Sequence, residues 1–141
     1  MKYSVKVPIN RDKKLVTSLF IDKARMGQWE KGLERIESIE GDLFETGSSG
    51  YLVFRLGDSE LHLKVTVEKN NLPGSIIQIY EMGGAINRCI NTFRKQGDQT
   101  IWTMDVSFEF DIAPQLPQAR FEEKTRMGMI MFKAFVEGFE A

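Results

Sequence analysis

This chain has one cysteine, one histidine and almost no excess of charge of either sign. The single cysteine, Cys89, excludes a disulfide framework within the chain and any cysteine-rich metal centre. The single histidine, His62, excludes a histidine metal cluster and argues against a Ser-His-Asp triad. A net charge of -1 provides no general attraction for nucleic acid. We therefore expect no metal, no cofactor and no nucleic-acid partner.

Long apolar runs are absent as well. No stretch approaches the roughly 20 apolar residues that cross a membrane as a helix. Residues 1–8 alternate polar and apolar side chains and lack the continuous apolar core of a signal peptide. The lone cysteine fits a reducing compartment. We expect a cytoplasmic protein without stable membrane insertion.

The chain has the length and composition of one globular domain. It contains 141 residues, of which 42% are apolar and 28% are charged. A chain of this size buries roughly 68 to 70% of its unfolded surface, which is enough for a sizeable core without disulfides or metal. Because no repeat, low-complexity tract or linker interrupts it, we expect a single domain over residues 1–141.

The order of local patterns predicts an α+β fold. Residues 2–9 alternate as a half-buried strand does, and Asp12 and Asp22 can each cap a short helix. Six further strand candidates follow, separated by turns rich in Gly, Asn and Asp. They are residues 35–40, 51–56, 61–69, 76–82, 86–94 and 100–110. A long helix ends the chain, so the sequence predicts seven antiparallel strands, two short helices after the first strand and one long C-terminal helix.

The last helix is apolar over most of its surface. One stripe consists of Phe121, Thr125, Gly128, Phe132, Phe135, Val136 and Phe139, and the other of Met127, Ile130, Met131 and Ala134. A helix with so broad an apolar surface must be held on several sides. Methionine suits a wall that adapts to what it contacts. We expect a curved sheet around the helix, with a cavity between them whose wall includes Met127 and Met131.

Turn positions predict which side chains share the inner face of the sheet. A two-residue turn at residues 58–59 places Phe54 opposite Leu63 on that face, and it leaves His62 on the solvated one. The surface position is the more frequent one for a lone histidine, and we assign His62 no chemistry.

A similar turn at residues 97–98 places Trp102 and Met104 on the inner face together with Asn87 and Asn91. An amide left unpaired there costs about 1 to 3 kcal/mol, so each must find a partner. A protein group, buried water or a ligand would each serve.

The strand over residues 76–82 receives two conflicting predictions. A turn at residues 83–84 sends Tyr80 inward, whereas a five-residue loop at residues 70–74 sends Glu81 inward. We prefer the orientation with Tyr80 inside. It leaves an outer isoleucine patch that would need a partner, such as a second copy of the chain. The patch consists of Ile77, Ile79, Ile86 and Ile90.

Residues 20–37, FIDKARMGQWEKGLERIE, contain an Asp-bearing turn, a tryptophan and a Gly-Leu pair that begins the next strand. Gly50 and residues 100–106 add two later elements. Together these segments resemble the START-like superfamily, especially its polyketide cyclase/dehydrase and lipid transport branch. The resemblance implies a helix-grip fold, in which a seven-stranded curved antiparallel sheet wraps around the C-terminal helix and two short helices close one end. Its members include lipid, sterol or ubiquinone carriers, hormone receptors, ring cyclases and chaperone activators.

The first functional hypothesis is therefore binding, transport or sensing of a small hydrophobic or aromatic ligand between the sheet and the C-terminal helix. The candidate ligand-binding residues combine apolar walls with a few orienting polar groups. They are Trp29, Phe54, Leu63, Tyr80, Asn87, Asn91, Trp102, Met104, Met127 and Met131.

Two other classes of function stay open. In a cyclase, dehydratase or hydrolase, Tyr80 or an inward Glu81 would handle a proton, and an exposed Glu81 would weaken this hypothesis. The chain has no specific catalytic motif, so we name no catalytic residue and lean against an enzyme. A chaperone-activator module would act through a surface, for which the isoleucine patch is the only indication.

Overall fold

The computed structural model describes residues 1–140 and contains seven strands and three helices in that range. The strands are β1 (Lys2–Ile9), β2 (Leu33–Glu40), β3 (Ser49–Leu56), β4 (Ser59–Asn71), β5 (Ser75–Met82), β6 (Ala85–Gln96) and β7 (Gln99–Phe110). The helices are α1 (Lys13–Phe20), a 3₁₀ helix (Lys23–Gln28) and α2 (Gln118–Glu137). None of the helices in the described range is long and apolar enough to span a membrane.

All seven strands form one antiparallel sheet in the order β1-β7-β6-β5-β4-β3-β2. Every neighbouring pair except β1–β7 joins strands that are consecutive in the chain. The connections within these pairs are too short for a crossover, so the strands can pair only in antiparallel orientation. The helices α1 and 3₁₀ follow β1, and α2 ends the fold. This arrangement confirms the predicted α+β helix-grip fold and each of the predicted strands.

An aromatic cluster attaches α2 to the rest of the core. The Phe132 ring lies 4.7 Å from that of Trp29, 5.3 Å from Trp102 and 5.5 Å from Phe20, measured between centroids. Phe132 is fully buried. Edge-to-face contacts of this kind add to the stabilisation from apolar burial. The phenylalanine stripe of α2 is therefore the stripe that faces the core.

The methionine stripe of α2 is not enclosed, contrary to our expectation. Met127 is 58% exposed and Met131 is 46% exposed. The helix packs mainly against β1, where Lys133 Nζ donates a hydrogen bond to Pro8 O (2.6 Å). Because α2 lies toward one edge of the sheet, one flank of the helix remains open to solvent.

The β3–β4 hairpin turns one residue earlier than we predicted. Its turn is at residues 57–58, where Gly57 has a φ of 61° that favours glycine, and Leu56 pairs with Ser59. Phe54 therefore lies opposite Leu61 instead of Leu63. Since the register changes by two residues, each side chain keeps its predicted face.

The β6–β7 hairpin has the predicted register. Phe93 lies opposite Trp102, and Asn91 lies opposite Met104. The two-residue turn at residues 97–98 is short enough to allow one pairing only, and it places both amide side chains of this strand on the inner face.

A β-bulge in β4 resolves the conflict over β5. The register shifts between Val67 and Lys69, so the extra residue Glu68 reverses the alternation along the strand. Both adjacent turns can then form while Tyr80 faces inward, as we preferred. Glu81 faces outward beside Lys64, with 3.8 Å between its carboxylate and the ammonium group.

The outer isoleucine patch exists but is only partly accessible. Ile86 is 43% exposed, whereas Ile77, Ile79 and Ile90 are each partly buried. Charged side chains interrupt the patch, since Arg88 lies opposite Ile79 across β5 and β6. The accessible apolar area on this face is therefore modest.

Candidate functional site

A cavity of about 100 Å³ lies between the inner face of β3, β4 and β5 and the helical segment that follows β1. Its lining is apolar apart from three polar side chains and the indole N–H of Trp29. The lining residues are Phe20, Met26, Trp29, Glu30, Phe44, Leu52, Leu63, Val65, Gln78 and Tyr80. No α2 residue lines it, so the wall facing the sheet is built by α1, the 3₁₀ helix and the residues after them.

Two consecutive residues after the 3₁₀ helix bring polar groups to this cavity. The backbone N–H groups of Trp29 and Glu30 both donate to Met26 O, at 3.2 and 2.9 Å. Glu30 O in turn accepts from Leu33 N at 3.1 Å, where β2 begins. This hydrogen-bonded turn holds both side chains against the cavity.

Glu30 is the functional candidate that sequence reasoning missed. The residue is partly exposed, but burial of its carboxyl group raises the pKa from 4.5 to about 7. No hydrogen bond or ion pair connects the carboxylate to another residue within 1–140. A carboxyl group with these properties changes its charge near neutral pH, which makes it a candidate for binding or proton transfer.

The Trp29 indole N–H is buried and has no hydrogen-bond partner among the described residues. Trp29 is 9% exposed, and its ring is held against Phe20 and Phe132. The other tryptophan differs, because Trp102 Nε1 donates to Asn91 Oδ1 at 3.0 Å. An unpaired buried donor is rare in folded proteins and calls for a specific explanation.

A chain of hydrogen bonds links the cavity to the deeper core. The Tyr80 hydroxyl donates to Gln78 Oε1 at 3.0 Å, and Asn91 Nδ2 donates to the same oxygen at 3.4 Å. Asn91 is thus satisfied on both sides by protein groups, since Trp102 donates to its oxygen. Through its hydrogen bond to Gln78 Oε1, Asn91 holds the Gln78 side chain in place, and Asn91 itself does not line the cavity. Burial raises the pKa of Tyr80 well above its ordinary value, and the nearby Cys89 and Glu30 add to this.

Asn87 also finds a protein partner, because its Oδ1 accepts a hydrogen bond from the Cys89 thiol at 3.3 Å. Burial raises the pKa of that thiol to about 12. A thiol that stays protonated at neutral pH is a poor nucleophile, so Cys89 is a packing residue.

The predicted ligand-binding residues therefore lie in different surroundings. Those on the cavity wall are Trp29, Leu63 and Tyr80. Those in or packed against the core beside it are Phe54, Asn87, Asn91, Trp102 and Met104. Those exposed on α2, outside the cavity lining, are Met127 and Met131. The cavity also includes Glu30 and Gln78, which we had not assigned to it.

Two larger concavities are open grooves on other surfaces. One, of about 580 Å³, lies by the β5–β6 turn and includes His62 and Glu81. The other, of about 460 Å³, lies beside the 3₁₀ helix and β2. Neither contains a buried side-chain N or O atom that lacks a partner within the described residues. The enclosed cavity is therefore the stronger candidate site.

The two tryptophans provide a test of this hydrogen bonding. Trp102→Phe leaves the buried Asn91 oxygen without its donor, whereas Trp29→Phe removes a donor that has no partner. We expect Trp102→Phe to lower the free energy of unfolding by about 1 to 3 kcal/mol more than Trp29→Phe. Urea denaturation followed by circular dichroism measures both, and equal losses would contradict the assigned hydrogen bonds.

Comparison with solved structures identifies the fold. The chain is similar to Ara h 8.0201 (8% identity, covering 96% of this chain and 97% of that one, TM-score 0.81). It is also similar to a START superfamily protein from Mycobacterium smegmatis (15% identity, 96% and 97% covered, TM-score 0.77). A third is DynU16, a putative protein in the dynemicin biosynthetic locus (16% identity, 97% and 47% covered, TM-score 0.76).

No protein-family model matches the chain, and no curated protein is significantly similar to it in sequence. The structural neighbours confirm the START-like helix-grip fold, and at these identities the similarity shows the fold alone.

Proposed function

We propose that this START-like helix-grip domain binds a small hydrophobic or aromatic ligand in the cavity beneath Trp29. The observation that carries the proposal is an enclosed apolar space into which a few polar groups converge, which is the usual composition of a small-molecule site. Phe44, Leu52 and Val65 provide apolar wall, while Glu30 and Gln78 provide polar groups. The structural neighbour from a biosynthetic locus is consistent with a small-molecule partner.

The size of the cavity limits the ligand. Sites for drug-sized molecules usually measure roughly 300 to 1,000 Å³, whereas an engineered cavity of about 150 Å³ binds benzene. A space of about 100 Å³ is smaller than both, so we expect a ligand no larger than a single ring, or the ring-sized end of a longer molecule. Methionine adapts its shape more readily than branched side chains, so Met26 is the wall residue best able to enlarge the space.

An enzyme that uses the same cavity is the second candidate, and Glu30 is the observation that favours it. Glu81, our earlier candidate for an acid or base, faces outward beside Lys64 and does not line the cavity. Glu30 is a cavity carboxyl group whose pKa is raised to about 7 by burial, as general acid-base catalysis at neutral pH requires. A cyclase-, dehydratase- or hydrolase-like reaction would then use Glu30 for proton transfer.

The outer isoleucine patch supports an interaction role less strongly. Its most exposed member is Ile86, with the exposed Met82 nearby at the end of β5. Arg88 pairs with Glu68 on this face at 2.7 Å, which keeps charge within the patch. A homodimer through this face, or a chaperone-activator role, stays a secondary proposal.

A thermal-shift screen with single-ring compounds tests binding, with fatty acids and quinones as larger comparisons. A ligand present at 100 times its Kd stabilises the folded state by about 2.7 kcal/mol and raises Tm by several degrees. We expect single-ring compounds to produce such shifts, and native mass spectrometry to detect ligand that co-purifies with the protein.

A matched pair of variants locates the binding. Leu63→Trp fills the cavity and should abolish the shifts, whereas Leu56→Trp, at an exposed position of the neighbouring strand, should preserve them. Shifts that survive Leu63→Trp would place binding elsewhere. If no compound stabilises the wild-type protein and none co-purifies, the cavity is only an internal space filled by water.

A further inference from the structure

Two of the residues that line the cavity have polar groups with unused hydrogen-bonding capacity. Trp29 Nε1 is a buried donor without a partner, and the adjacent Glu30 carboxylate accepts no hydrogen bond from any residue within 1–140. The two groups belong to consecutive residues of one hydrogen-bonded turn, and both line the same space. A ligand in this space can therefore meet both an unpaired donor and an unpaired acceptor.

Above pH 7, where Glu30 is ionised, the charge of the ligand follows from this pairing. A cation would be attracted to the Glu30 carboxylate but would leave the Trp29 N–H pointing at positive charge. An anion would accept from Trp29 and be repelled by Glu30. A neutral group with an acceptor next to a donor satisfies both residues, and burying it costs least because neither side is left unpaired.

Gln78 adds a second donor toward the same ligand. Its Oε1 is already occupied by the Tyr80 hydroxyl and by Asn91 Nδ2, at 3.0 and 3.4 Å. Its NH₂ group makes no hydrogen bond with the described residues, although Gln78 is 98% buried and lines the cavity. The ligand acceptor best suited to two donors is a carbonyl oxygen, which has two lone pairs.

We propose that the cavity recognises a neutral, ring-sized ligand whose carbonyl oxygen accepts from Trp29 and Gln78 while an adjacent N–H or O–H donates to Glu30. Cyclic amides and vicinal hydroxy-carbonyl rings are the chemical classes with this edge. This inference rests on the proposed ligand-binding function and specifies the substrate class of the same site. The apolar part of the ring would pack against lining residues such as Phe44, Leu52 and Val65.

The experiment compares three probes by isothermal titration calorimetry. 2-Pyridone has the carbonyl and the adjacent N–H, N-methyl-2-pyridone has the carbonyl alone, and benzene has neither. At pH 8, where Glu30 is ionised, we expect 2-pyridone to bind roughly 10- to 100-fold more tightly than its N-methyl derivative, because one hydrogen bond to a charged acceptor is lost. The indole N–H resonance of Trp29 should shift with 2-pyridone in ¹H–¹⁵N spectra.

Variants distinguish recognition by Glu30 from a steric effect of the methyl group. Glu30→Leu should abolish the preference for 2-pyridone, while Glu34→Leu, at an exposed position in the next strand, should preserve it. A preference that persists in Glu30→Leu would overturn the assignment. The wild-type indole resonance provides a readout that does not depend on the folding of any variant.

The remaining outcomes separate this inference from the function on which it rests. Equal binding of both pyridones to the wild-type protein overturns the donor to Glu30 and leaves ligand binding intact. Binding of benzene alone overturns polar recognition in the same way. If none of the probes binds, and the thermal-shift screen is also negative, the ligand-binding function itself fails.

Discussion

Glu30→Gln should stabilise the protein at pH 8 and leave its stability at pH 4 nearly unchanged. The folded-state pKa of Glu30 is raised to about 7, whereas an unfolded chain has the ordinary value of 4.5. Between these two values the unfolded state has released its proton and the folded state retains it, so the free energy of unfolding falls as pH rises. The loss amounts to about 3 kcal/mol and is complete above about pH 7. Because glutamine does not titrate, the Glu30→Gln variant avoids this loss of stability.

Urea denaturation at a series of pH values between 4 and 8 measures the difference between the variant and the wild type. Using the difference removes the contribution of carboxylates that both proteins share. Glu123→Gln, at an exposed position of α2, serves as the control and should change stability by less than about 0.5 kcal/mol throughout. Parallel pH profiles for Glu30→Gln and wild type would show that the carboxyl group is not buried.

Phe132→Ala should be the most destabilising single substitution in α2, with a loss of about 3 to 5 kcal/mol. The ring is fully buried between Trp29, Trp102 and Phe20. Its removal leaves a cavity where α2 meets Trp102 of the sheet and the residues Phe20 and Trp29. Urea denaturation followed by tryptophan fluorescence should show an earlier unfolding midpoint with little change in slope.

Met131→Ala is the matched control for that prediction. Its side chain precedes Phe132 directly and is 46% exposed, so truncation removes less buried surface. We expect a change within about 1 kcal/mol, since exposed positions away from specific contacts tolerate substitution. Similar losses for both variants would mean that the methionine flank of α2 is covered in solution, by a partner or by a different placement of the helix.

Strand order and face assignment could largely be predicted because both depend on local signals. Alternation with a period of two predicts which residues share a face, and a turn of two residues at 97–98 predicted the β6–β7 pairing correctly. The predicted β3–β4 register was wrong by two residues, because the turn is at residues 57–58 and not at residues 58–59. The bulge at Glu68 could not be predicted, since the extra residue forms only when both neighbouring strands are in place.

The site was harder to predict than the sheet. Asn91 was correctly placed on the inner face, but its partner Trp102 lies across the β6–β7 ladder, so only the tertiary structure shows that the amide is already satisfied. Glu30 follows a short 3₁₀ helix, where no periodicity indicates burial. Its one sequence signal was its position between Trp29 and Gly32, where the START-like resemblance implies the mouth of the cavity.

By itself the sequence determined the element order, the antiparallel sheet and the apolar stripe of α2 that carries Phe132. Each follows from the spacing of apolar side chains along the chain, which is a local property. Only the tertiary structure decided that Met127 and Met131 lie outside the cavity lining, and that Glu30 and Gln78 belong to it. Burial and pKa depend on which distant segments exclude water from a group. Glu30 shares its cavity with residues of β3, β4 and β5, strands that begin about 20 residues or more further along the chain.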